Sequence, residues 1–294
     1  MRVLVTGVPG RVGSAVTAAV PVDATVEVLV DPVAQHVPDF GWYRTDITDR
    51  EKVLRTFDCA DPGAVVHCAA MTDVDGCERN PGRAEAVNRD GAANVAEACA
   101  QLGAKLVFLS TDYVYDGRRG PYEEYDDPNP VNVYGATKLA GEQAVLERCS
   151  DSVILRISVP FGARTPGTDH NFVSWLIEEL TAGRSVRVVT DQYTTPAFLD
   201  ELAEIIWMVA RNETSGILHY GTGNRLSRYD MALDLCRIMG YREELVIPFK
   251  TADLGLAAQR PLESGFVPDR IIDILGRPPI LFRNALYRIA ELTD

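Results

Sequence analysis

Arg2-Val3-Leu4-Val5-Thr6-Gly7-Val8-Pro9-Gly10-Arg11-Val12-Gly13 is the stretch on which the fold turns. Arg2–Thr6 is a short β-branched run, the pattern of a buried strand. Glycines follow at 7, 10 and 13, and Arg11–Val20 then reads as a helix. A strand passing through a glycine turn into a helix meets three demands of dinucleotide binding. These are a tight turn, a backbone that a pyrophosphate can approach, and close packing of helix on strand. The N–H groups at the helix start then face the phosphates. The spacing is G-x-x-G-x-x-G rather than G-x-G-x-x-G, so its weight comes from its place between the first strand and the first helix. Elsewhere the same glycines would be read as a plain βα turn needing φ > 0.

The alternation continues downstream. Thr25–Val30 predicts a second strand ending at Asp31, Trp42–Asp46 a third, and Asp49–Phe57 a helix opened by Asp49. Ala64–Ala70, Lys105–Ser110 and Ser152–Ser158 predict three more strands, with helices at Asn88–Gln101 and Tyr134–Arg148 between them. This order specifies an α/β fold, a Rossmann-type doubly wound parallel sheet with helices on both faces. Beyond Val159 the pattern loosens. Asn171–Thr181, Asp200–Arg211, Tyr229–Met239 and Leu281–Leu292 read as helices, and Gly216–Tyr220 as one further strand. The expected division interleaves a dinucleotide-binding domain, 1–160 with 198–221, and a smaller C-terminal substrate lobe, 161–197 with 222–294.

Composition narrows the function. Hydrophobic residues make up 46% and charged residues 24%, an ordinary globular balance that excludes disorder. A net charge of −13 excludes holding a nucleic acid backbone or an anionic membrane by bulk electrostatics. An anionic ligand needs a local cluster of arginines or backbone N–H groups; acidity of this size is also what a salt-adapted source produces. Six scattered cysteines without a C-x-x-C pair read as reduced thiols of a cytoplasmic protein. His36, His67, His170 and His219 fall at no metal-ligand spacing, so no metal is expected. No signal peptide or membrane span is expected.

The expected cofactor set follows from the strand ends. Gly7, Pro9, Gly10, Arg11, Val12 and Gly13 form the turn, and Cys68, Ala69 and Ala70 end the fourth strand. Asp31 is placed to take both adenosine-ribose hydroxyls, and its charge repels a 2′-phosphate. Arg11 pulls towards a 2′-phosphate or lies solvated in the first turn. The balance leans to NAD(H) over NADP(H). Asp46 and Ile47 flank adenine, or Asp46 only caps the next helix.

Tyr134 and Lys138 lie four apart on one helix face. A lysine there is expected to favour phenolate and lower the tyrosine pKa. With four lysines (Lys52, Lys105, Lys138, Lys250) and 11 tyrosines, chance gives about 0.15 such pairs. Thr111, at the end of the fifth strand, adds a hydroxyl able to bind the carbonyl oxygen that Tyr134 protonates. Its alternative is a strand-end hydroxyl capping its own turn. The three together describe hydride transfer to a carbonyl, with Tyr134 and Lys138 also touching the cofactor.

Thr6–Gly13, Ser110–Gly117 (STDYVYDG), Pro121–Glu124 (PYEE), Pro130–Glu142 (PVNVYGATKLAGE), Asn171-Phe172, Thr190–Pro196 (TDQYTTP) and Arg260-Pro261 resemble the dTDP-4-dehydrorhamnose reductases. These are extended short-chain dehydrogenase/reductases, and the likeness runs over nearly the whole chain. It implies Thr111, Tyr134 and Lys138 as the catalytic trio and a nucleotide-sugar substrate. Asp112 would lie near the sugar and Val159 in the substrate set. Asn171, Gln192 and Arg260 would lie on the nucleotide side, Arg260 against a diphosphate. Where those enzymes often carry a tryptophan after the sixth strand, this chain reads Ser158-Val159-Pro160-Phe161. Ala15 and Val16 stand where some relatives place a glutamate that binds magnesium between subunits, so that metal is not carried over; a homodimer remains open.

Val65–Ala70, Leu155–Ile157, His219–Gly223 and Gln259–Pro261 also resemble the regulatory subunit of methionine adenosyltransferase. That likeness implies a dinucleotide-binding protein that docks to a catalytic partner. A third reading is a nucleotide-sugar epimerase or dehydratase that keeps NAD bound through turnover.

Overall fold

The computed structural model describes residues 1–34, 40–163 and 171–292. His36 and His170 lie outside the described residues. The central sheet has the order β3-β2-β1-β4-β5-β6-β9, every neighbouring pair parallel. Its strands are β1 (Arg2–Thr6), β2 (Thr25–Val30), β3 (Gly41–Arg44), β4 (Ala64–His67), β5 (Lys105–Thr111), β6 (Ser152–Ile157) and β9 (Gly216–Tyr220). Between β6 and β9 the chain makes β7 (Val186–Val189) and β8 (Tyr193–Thr194). After β9 it makes their partners, β10 (Leu226–Ser227) and β11 (Val246–Phe249).

Alternate residues of the strands fill two cores. Val3, Val5, Val28, Val66, Val107 and Leu155 face one way, under α1 (Arg11–Ala18) and, further along the chain, α8 (Leu199–Val209). Leu4, Leu29, Val65, Leu106, Phe108 and Ile154 face the other, under α2 (Arg50–Ala60), α5 (Gly91–Leu102) and α6 (Val133–Arg148). Buried on both sides, these strands carry the unbroken apolar runs that distinguish parallel sheets. A separate core gathers Phe161, Val173, Leu176, Val188, Leu235 and Phe282. It unites β7 and β11 with α7 (Phe172–Thr181), α9 (Arg228–Met239) and α11 (Phe282–Glu291).

Asp49 caps α2, accepting from the Lys52 N–H at 3.1 Å, as its place before the helix predicts. The helix expected from Asn88 begins earlier. The chain is helical from α3 (Val74–Arg79) and α4 (Pro81–Glu85) through a π turn at Ala86–Asp90 into α5. Polar residues obscure the apolar period there. The short strands β7, β8, β10 and β11, and α10 (Asp269–Leu275), went unpredicted, because two to seven residues carry little periodicity. Among the described residues, no helix is long and apolar enough to cross a membrane.

Candidate active site

The carboxyl ends of β1, β2, β4, β5 and β6 open into one cavity of about 530 Å³. Open α/β sheets bind ligands at this edge because crossover loops diverge there. At one end lies the glycine turn. Gly7 has φ +76°, and a Cβ on it would stand 2.5 Å from the Ala69 nitrogen, so only glycine lets β1 and β4 close up. Thr6 ties the same strands, its Oγ1 lying 2.7 Å from His67 Nδ1 and accepting from the Ala69 N–H at 3.1 Å. α1 begins at Gly10 with no side-chain cap, which leaves its first N–H groups turned outward as a seat for phosphate. A dinucleotide fits such a cradle.

All the expected cofactor residues line this cavity: Gly7, Pro9, Gly10, Arg11, Val12 and Gly13 from the turn, then Asp31, Asp46, Ile47, Cys68, Ala69 and Ala70 from the strand ends. Asp31 Oδ1 accepts from the Val33 N–H at 2.9 Å, a turn contact that fixes its carboxylate at the end of β2. Asp46 Oδ1 accepts from Thr48 N–H and hydroxyl at 2.9 and 2.8 Å, so it builds a local turn while the capping of α2 falls to Asp49.

Thr111, Asp112, Tyr134, Lys138 and Val159 line the other end. Asn132 caps α6, accepting from the Gly135 N–H at 2.8 Å and so fixing the turn that carries Tyr134. Burial pushes the Tyr134 phenol well above its ordinary value, and a hydrogen bond with Thr111 pulls against it. Lys138 is not what governs the phenol, contrary to the helix-face expectation. Its ammonium donates to the Leu109 carbonyl at 2.7 Å and sits 4.1 Å from the centre of the Phe108 ring. Burial lowers Lys138 to about 8, with Glu142 opposing. Thr111 keeps its turn role as well, accepting from the Tyr113 N–H at 3.2 Å.

Beneath these residues runs a buried polar chain. Arg156, wholly enclosed, donates to Glu142 at 2.9 and 2.6 Å and to the Tyr115 hydroxyl at 2.6 Å. Ser110 donates to Glu142 at 2.5 Å, and Tyr115 meets His219 Nε2 at 3.0 Å. Glu142 stands one turn beyond Lys138 on α6, so the sequence did hold a signal for it: Tyr134, Lys138 and Glu142 recur every four residues.

Asp112 is a second knot. Its Oδ2 accepts from Ser158 and from Ser264, each at 2.6 Å, joining β5, the end of β6 and the C-terminal segment. Burial raises its pKa, and these serines and the Arg228 charge oppose the rise. Val159 follows with φ 42°, a region β-branched residues rarely enter.

Three residues expected on the substrate side do not line this cavity. Asn171 is the N-cap of α7, its Oδ1 accepting from Ser174 N–H at 3.0 Å and its Nδ2 donating to the Gly162 carbonyl at 3.1 Å. Gln192 donates to Thr251 at 3.0 Å. Arg260 forms a fork on Asp75 at 2.7 and 3.3 Å and borders a second cavity of about 420 Å³ with Tyr193, Asp191 and Lys250. Polar residues at turns and caps are often claimed by the backbone first. Tyr113 and Arg228, which do line the main cavity, were missed because no spacing marks them.

The family model described as RmlD substrate binding domain matches residues 1–293. A probable low-salt glycan biosynthesis reductase, Agl14, of Haloferax volcanii is 35% identical, covering 90% of this chain and 89% of that protein. The dTDP-4-dehydrorhamnose reductase of Mycobacterium tuberculosis is 35% identical over 88% of this chain and 82% of its own. Methionine adenosyltransferase 2 subunit beta of Danio rerio is 30% identical over 94% and 85%. The structure of dTDP-4-dehydrorhamnose reductase from Bacillus anthracis with NADP superimposes with a TM-score of 0.86 at 28% identity, covering 100% and 99%. That of Thermus thermophilus UDP-glucose 4-epimerase with NAD gives 0.82 at 26%, covering 99% and 98%. With a dinucleotide turn, a seven-stranded parallel sheet and a match along its whole length, this chain belongs to the RmlD substrate binding domain family, among the extended short-chain dehydrogenase/reductases.

Proposed function

We propose that this chain uses NAD(P)H to reduce a keto group on a nucleotide-linked deoxysugar, as dTDP-4-dehydrorhamnose reductases do. The observation that carries the proposal is that Thr111, Tyr134 and Lys138 line the same cavity as the glycine turn. The dinucleotide, when bound, supplies the hydride. Tyr134 holds its proton at neutral pH, because burial disfavours the phenolate, and so acts as the acid that protonates the carbonyl oxygen. Thr111 gives that oxygen a second hydrogen bond as negative charge develops on it. Lys138 contributes positive charge within the same wall.

In this reading residues 1–160 and 198–221 hold the cofactor, and 161–197 with 222–294 cover the substrate. Asp31 supports NADH over NADPH. The test is to mix the protein with dTDP-linked 4-keto-6-deoxysugars and either reduced cofactor, then follow nicotinamide fluorescence and product mass. Cofactor consumption with formation of the alcohol is expected. Cofactor binding without turnover on any nucleotide-linked ketone overturns the proposal and favours the regulatory-subunit reading.

A further inference from the structure

We infer that Arg228 grips the diphosphate of the nucleotide-linked substrate, linking the catalytic cavity to a nucleoside seat in the second cavity. The inference rests on the reductase reading and deepens it. Arg228 lines the cavity that holds Tyr134 and Thr111. Its guanidinium lies over the Phe172 ring, 4.9 Å from the centre, and among the described residues its side chain has no hydrogen-bond or ion-pair partner. Arg260 is the contrasting case, already satisfied by Asp75 and by the Ala258 carbonyl at 2.8 Å.

Arg228 is nevertheless firmly mounted. Its N–H donates to the Gln192 carbonyl at 3.1 Å, and Ser227 before it closes a capping box with Asp230. Burial pulls its pKa down, with Tyr113 and Asp112 opposing. Arg228 is half-buried, and a charge partly withdrawn from water without a partner costs stability, which a bound anion offsets. In a chain of net charge −13 a local cation of this kind favours an anion that the overall field repels.

Position selects the diphosphate. Tyr113 packs edge-on against Tyr134, ring centres 5.6 Å apart, and feels the charges of both Arg228 and Arg260. Tyr113 lines the main cavity and Asp116, three residues on, the second; Gln192, which holds the Arg228 N–H, lies between Asp191 and Tyr193 of that second cavity. A ketone at Thr111 and Tyr134, with its nucleoside in the second cavity, runs its diphosphate past Arg228.

The probe is dTDP itself, its affinity read by calorimetry independently of turnover. Arg228→Gln should weaken dTDP and raise KM for the keto-sugar by roughly 10- to 100-fold, with kcat and cofactor affinity nearly unchanged. Arg228→Lys should recover part of the loss, and Arg260→Gln should cost less than Arg228→Gln. Unchanged dTDP affinity in Arg228→Gln, an equal loss of cofactor affinity, or a larger effect from Arg260→Gln overturns the inference. Absence of turnover by the unaltered protein strikes the reductase reading instead, and the dTDP titration still decides Arg228.

Discussion

The two ends of the main cavity are built in different ways. The cofactor end is made of strand ends and backbone N–H groups, and its shape depends chiefly on where glycine is tolerated. The substrate end is made of side chains from distant parts of the chain, knotted at Asp112 where Ser158 and Ser264 meet. A site built on backbone absorbs many side-chain changes, whereas one built on a few charged hydrogen bonds yields to a single substitution.

The sharpest test lies where the two ends meet. Tyr134→Phe should lower kcat by roughly 10²-fold or more while cofactor affinity and melting temperature hold, because only the acid is lost. Steady-state kinetics beside a cofactor titration checks this, and near-normal turnover removes Tyr134 from its role. Ser264→Ala should break the asymmetry from the other side. It removes one of the two hydrogen bonds to Asp112 Oδ2, a loss of about 1.5–3 kcal/mol in denaturant melts, with a raised KM and unchanged cofactor affinity. If cofactor affinity falls equally, the two ends are not separable.

A pH series tests how far the Lys138 end of the cavity bears on the cofactor. Lys138 is lowered to about 8 by burial, so it loses its proton as pH rises through that value. Affinity for the dinucleotide should fall by up to about tenfold per unit above it, and Lys138→Met should flatten the profile. The stability sign is opposite. The folded state binds fewer protons than the unfolded one between about 8 and the ordinary lysine value near 10.4, so stability of the cofactor-free protein should rise with pH across that window. The smallest effect belongs to Asp31→Ala, which should shift the NADH to NADPH affinity ratio by only a few-fold to about tenfold, in favour of NADPH. Tighter NADPH binding by the unaltered protein reverses the expected preference.

The same contrast explains what could be read in advance. The glycine turn, the strand ends and Tyr134 with Lys138 are local patterns, visible within a dozen residues. The Asp112 knot joins positions 112, 158 and 264, and no period connects them. Arg228 is marked only by the serine cap before it, and any surface helix can show that. Asn171 and Gln192 were legible as part of a familiar motif, but their polar atoms serve a helix cap and a loop contact. The expected lowering of the Tyr134 pKa gives way to burial for a related reason. Spacing puts Tyr134 and Lys138 on one face of the helix, yet only the packed structure shows the Leu109 carbonyl that claims the ammonium.

Strand β9 has a consequence for how the nascent chain acquires its shape. It is the last strand of the sheet and pairs with β6, yet it emerges from synthesis only after β7, β8 and α8. Until then β6 presents an unpaired edge, and Arg156 lacks its register partner His219. Exposed strand edges recruit wrong partners, and distant parallel pairings close slowly. A piece ending at residue 160 would carry the glycine turn and Thr111, Tyr134 and Lys138 and still own an unfinished sheet. It should aggregate rather than work as a small enzyme, because the catalytic residues are complete before the platform that holds them is.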